Sequence, residues 1–155
     1  MKIEGSYAEG EMMPDSPHFE PMSWSFGVIG DTIWRTMPSL RRGILALIVE
    51  RLELAIRLDQ EPEALDDWEY LTHVLAKPFN ALHEGSMSVG GILEVCEFIR
   101  ALINFDDMNG GAVEYALSVS VLENLDTRAI AELMESHCPD LVREVREKFP
   151  RTWQL

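Results

Sequence analysis

The sequence predicts an all-α protein, a single-domain helical bundle of about six or seven helices over residues 23–155, behind an irregular N-terminal arm over residues 1–22. Three observations predict it. At least five segments repeat apolar residues at helical spacing. No segment alternates apolar and polar residues in the manner of a half-buried strand. The apolar fraction, 46% of 155 residues, suffices for one core.

The arm holds Gly5, Gly10, Pro14, Pro17 and Pro21. Prolines at this density exclude a regular helix, because each lacks an amide donor and fixes its own backbone. Met12, Met13, Phe19 and Met22 are its expected anchors on the body. A first, weak helix is expected from Trp24 to Met37, interrupted by Gly27 and Gly30. The second starts at Ser39 as N-cap and runs to about Gln60. Leu40, Ile44, Leu47, Ile48, Leu52, Leu54, Ala55 and Leu58 fill one broad arc, widened by Leu45, Val49 and Ile56. A helix this apolar is expected at the centre of the bundle.

Glu61-Pro62 is expected to open the third helix, with proline and acids in its first turn. Leu65, Trp68, Leu71, Thr72, Leu75 and Phe79 form its expected buried face, and Pro78 is expected to kink or end it. Ser88 begins a fourth helix reaching about Phe105, with Ile92, Val95, Cys96, Ile99, Leu102 and Ile103 inward. After a turn over 107–111, a largely buried fifth helix is expected over 112–124. Asp126 or Thr127 caps a sixth through Ile130, Leu133 and Met134. Leu141, Val142, Val145 and Phe149 mark a short last helix before Pro150.

Charge is the chain's most distinctive property. There are 27 acidic and 13 basic residues, a formal net charge of −14. Glu61, Glu63, Asp66, Asp67 and Glu69 crowd into nine residues with no base among them, and Asp106-Asp107 forms a smaller knot. Such a field repels nucleic-acid phosphate and attracts basic proteins, so no nucleic-acid partner is expected. The longest apolar stretch, Gly43 to Val49, is too short to span a bilayer, so no membrane role is expected. No basic region followed by an apolar run opens the chain; a cytoplasmic location is expected.

Sites of chemistry are weakly marked. His18, His73, His83 and His137 are scattered, and the two cysteines, Cys96 and Cys138, lack zinc-ligand spacing. The 106–113 stretch lacks the glycine and terminal glutamate of a calcium loop. No metal, cofactor or catalytic residue is expected, and the chain is not expected to be an enzyme. One disulfide between the cysteines is compatible with the count, but Cys96 reads as a small hydrophobe on an inward face. Gly90-Gly91 and Gly110-Gly111 read as turns and close approaches. Arg51 falls among leucines, either paired with an acid of another helix or extending its stem to water.

The expected partner-binding residues are Glu63, Asp66, Asp67 and Tyr70 on the solvated side of the third helix, together with Asp106 and Asp107. Carboxylates speed encounter with a basic surface, and a tyrosine adds contact area. In size, helicity and acidity the chain resembles bacterial immunity proteins that neutralise nuclease toxins, a resemblance of composition that covers no motif. It implies an inhibitor that blocks the active or substrate-binding surface of a basic partner. The alternatives are a helical adaptor acting through homo- or hetero-oligomerisation, with the Trp153-Gln154-Leu155 tail docking in a groove, and an enzyme with an unrecognised acid–base site.

Overall fold

A computed structural model describes residues 23–154, all-α in architecture. The expected anchors Met12, Met13, Phe19 and Met22 lie outside the described residues. Among the described residues seven α-helices follow one another: α1 Ser23–Thr36, α2 Arg41–Leu58, α3 Asp67–Glu69, α4 Ala76–Glu84, α5 Val89–Met108, α6 Arg128–His137 and α7 Pro139–Lys148. A wider π-helical turn, Tyr70–Val74, joins α3 to α4, and another, Ala116–Leu122, lies between α5 and α6.

The central helix is α5, not α2. It packs against α1, α4, α6 and the 116–122 segment, and buries Ile92, Val95, Phe98, Ile99, Leu102 and Ile103. Ser88 caps it, its hydroxyl accepting from Gly91 N at 3.1 Å, as the sequence predicts. Helix α2 buries only Ile44 and Ala55 and leaves much of its remaining apolar surface in solvent. It contacts the body along one side, so abundance of leucine did not translate into burial. Ser39 does not cap α2; its hydroxyl donates to Glu94 Oε1 on α5 at 2.7 Å.

Two glycines shape α1. Gly27 sits at φ 58°, where the helix breaks and restarts. Gly30 lies against the ring of Tyr70, and a Cβ there would stand 2.6 Å from Tyr70 Cζ. Tyr70 is fully buried, so its ring has nowhere to go. Gly30→Ala is therefore expected to destabilise the protein by about 2 kcal/mol, overpacking outweighing the gain in helix propensity. Urea unfolding checks this; a variant as stable as the parent would contradict the packing.

The third helix begins five residues later than the Glu61-Pro62 start predicts. Asp66 is its N-cap, accepting from Glu69 N at 2.9 Å, while Glu69 Oε1 accepts from Asp66 N at 3.1 Å. This reciprocal capping box fixes the start. The π turn follows, with Leu75 N donating to Tyr70 O at 3.2 Å, so Pro78 falls in the first turn of α4, where a missing donor is harmless, and is buried there. Late start and wide turn together rotate the faces: Trp68 is 67% exposed and Tyr70 0%. The expected fifth helix is the π segment followed by a short 3-10 turn, Glu123–Leu125, with Leu117, Val121 and Leu122 buried but Tyr115 exposed.

Thr127, not Asp126, caps α6, its Oγ1 accepting from Ile130 N at 3.2 Å. Asp126 instead accepts from the backbone N of Trp153 at 2.9 Å. Trp153 is folded onto the body rather than free to dock elsewhere, 0% exposed and with its indole donating to Leu125 O at 2.9 Å. Cys96 on α5 and Cys138 between α6 and α7 form a disulfide closing 42 residues. The residue count leaves this bond open while the helical pattern reads Cys96 as a small hydrophobe; both cysteines are buried and bonded.

Candidate functional site

Helix α2 ends at Asp59, whose left-handed backbone lets its N–H bond to Ala55 O and Ile56 O. Residues 60–66 then run back as a non-helical strap. Three attachments hold the strap. Leu65 is buried in the core. Arg51 Nη1 on α2 donates to Glu63 O at 3.3 Å. The Asp66–Glu69 capping box anchors the far end, and Glu69 Oε2 also pairs with Arg51 Nη2. Arg51 is thus paired as one of the two sequence readings has it, with its side chain about a quarter exposed at 24%.

Between α2 and the strap lies an open groove of about 430 Å³. Leu54, Ala55 and Leu58 supply its apolar wall, and Glu61, Glu63, Asp66 and Glu69 its acidic rim, with Gln60, Ala64 and Arg51 completing the lining. Four carboxylates therefore face one guanidinium. Arg51 neutralises Glu69, whereas Glu61, Glu63 and Asp66 have no ion-pair partner among the described residues. An apolar wall beside uncompensated carboxylates suits a cationic segment that also carries apolar side chains.

Of the residues singled out in the sequence, Glu63 and Asp66 meet at this groove. Asp67 turns the other way: its Oδ1 accepts from Ile29 N at 3.4 Å, serving the restarted α1 beyond Gly27. Tyr70 lies under Gly30 rather than on a solvated face, because the helix starts late. Burial, with Glu69 and Asp67 nearby, pushes its phenol up to about 12, so it stays neutral. Asp106 is 1% exposed rather than surface-bound. Its Oδ1 accepts from Val113 N at 2.9 Å, and its Oδ2 lies 3.2 Å from Lys148 Nζ. Asp107 is exposed and accepts from Lys148 Nζ at 2.6 Å, so the second acidic knot is tied to α7. The bond to Asp107, above all, raises the Lys148 pKa.

Glu61, Leu54 and Leu58 join the site unforeseen. Asp66-x-x-Glu69 is a legible capping signal, and reading it would have placed the strap and its rim. Among the described residues no group of three or more His, Cys, Asp or Glu side chains is arranged to hold a metal ion. Among the same residues no helix is long and apolar enough to cross a membrane. His137 does not face its neighbour Cys138 as a base; its Nδ1 bonds to Leu133 O at 3.0 Å, and Cys138 is in the disulfide.

No family model, curated protein sequence or solved structure matches this chain.

Proposed function

We propose that this chain is an acidic protein-binding module that takes a cationic, partly apolar segment of a partner protein into the groove between α2 and the 60–66 strap. One observation carries the reading: Leu54 and Leu58 stand beside Glu61, Glu63 and Asp66 in a single open groove. The apolar wall gains by removal from water, and the rim carboxylates steer and orient a basic partner. The specific form proposed is an inhibitor of the immunity type. Its rim carboxylates take the places that phosphates would occupy on a basic nuclease surface, and the occupied surface is closed to substrate. The cytoplasm is the proposed site of action, where the disulfide would be exposed to reduction.

The test uses a helical peptide with arginines along one side and leucines along the other, followed by calorimetric titration. Binding is expected to weaken as salt rises. Glu61→Lys with Glu63→Lys is expected to lower affinity by about thirtyfold or more, mainly through slower association. Neither glutamate caps a helix, so melting should be nearly unchanged. Glu114→Lys, on an exposed carboxylate that does not line the groove, is the control and should bind as the parent does. Equal affinity for the parent and the doubly reversed variant would remove the groove from the account.

A further inference from the structure

Helix α2 carries a second apolar surface, distinct from the groove wall. Leu45, Val49, Leu52 and Ile56 are 43%, 52%, 37% and 79% exposed. Their spacing, four then three then four, is that of a heptad seam, and at 100° per residue they fall within a narrow arc. Leu54 and Leu58, which line the groove, project from the opposite side of the helix. The seam contains no charge, so the cationic partner proposed for the groove has no complement there.

We propose that this seam is the contact between two copies of the chain, their α2 helices packed antiparallel about a two-fold axis. In such a pair the seam is self-complementary. Setting Leu45 of one copy against Ile56 of the other brings Val49 opposite Leu52. The next layer outward along the same stripe then sets Arg42 against Asp59, and does so twice. Both residues are exposed, and neither has an ion-pair partner among the described residues. A parallel pair would instead oppose Arg42 to Arg42 and Asp59 to Asp59. Antiparallel packing also places the N-terminus of each α2 beside the C-terminus of the other, the favourable arrangement of helix dipoles. Ala46, small and exposed, flanks the seam and admits close approach.

One 18-residue helix per copy makes a small interface. The dimer is therefore expected to half-dissociate at roughly 10 μM rather than persist on dilution. Sedimentation equilibrium of the full chain, from well below to well above that concentration, tests the proposal. The expected result is a reversible rise to twice the monomer mass. Val49→Glu, introduced twice in a symmetric pair, should weaken the dimer by about a hundredfold with helicity unchanged. Arg42→Asp should weaken it by about tenfold, and adding Asp59→Arg should restore it to within about threefold of the parent. A parent that stays monomeric throughout overturns the proposal. A dimer indifferent to Val49→Glu overturns it too, since another surface would be in use. Failure of the Asp59→Arg rescue, with circular dichroism showing intact helix, overturns the antiparallel arrangement. None of these results bears on peptide capture by the groove.

Discussion

Trp153→Ala is expected to lower the unfolding free energy by about 4 kcal/mol, among the largest effects of any single truncation in this chain. The residue looks like a tail in the sequence, two positions from the end. In the structure it is fully buried and tied down on all sides. Its indole Nε1 donates to Leu125 O at 2.9 Å, and its backbone N donates to Asp126 Oδ1 at 2.9 Å. Its carbonyl accepts from Arg146 Nε at 2.7 Å. Truncation would leave a cavity of indole size and a buried carbonyl without its donor, two costs that add. Trp68→Ala is the matched control: at 67% exposed it should cost about 0.5 kcal/mol or less. Urea unfolding of both variants checks the pair. Equal effects would contradict the placement of the tail.

Breaking the Cys96–Cys138 disulfide is expected to cost about 4 kcal/mol, the chain-entropy value for its loop of 42 residues. Reduction and the Cys96→Ala/Cys138→Ala double variant should act in the same direction, because both remove the covalent link between two buried positions. Thiol titration in denaturant checks the state directly: no reactive thiol before reduction, both after it. Stability indifferent to reductant would show that the bond adds nothing. The effect also bears on compartment, since the cytoplasm expected from the sequence would hold the chain in its less stable, reduced form.

Helices whose signals agree were legible from the sequence. Ser88 followed by Ile92, Val95, Ile99 and Leu102 identified α5 and its inward face, because cap, period and length point the same way. Ile130 and Met134 do the same for α6, whose cap the sequence leaves between Asp126 and Thr127. For the third helix the sequence misleads, because Pro62 and the acids around it mimic a first turn, while the true start is set by the reciprocal bonds between Asp66 and Glu69. That slip, with the π turn behind it, exchanged the environments of Trp68 and Tyr70. The composition of α2 points to the centre because it shows how much could be buried, not how much partner surface is available to bury it. In the sequence Trp153 reads only as part of a docking tail, because the groups that receive its indole and backbone N–H, Leu125 O and Asp126, lie 28 and 27 positions away, beyond the reach of any local pattern. The candidate site was half legible for the same reasons. Charge density marks Glu63 and Asp66 in the sequence, and Glu61 with them, though nothing local assigns Glu61 to the site. Glu61, Leu54 and Leu58 needed the strap to fold back along α2 before they shared a groove.

The most direct measurement of the central claim is a methyl and backbone NMR titration with the arginine–leucine peptide at low and at elevated salt. Shifts are expected to concentrate on the methyls of Leu54, Leu58 and Ala64 and on the amides of residues 60–66, fading as salt rises. Tyr70 and the buried methyls around Ile99 should move little. Shifts centred on the Asp107–Lys148 region or on the α2 seam, with the groove signals unmoved, would contradict it.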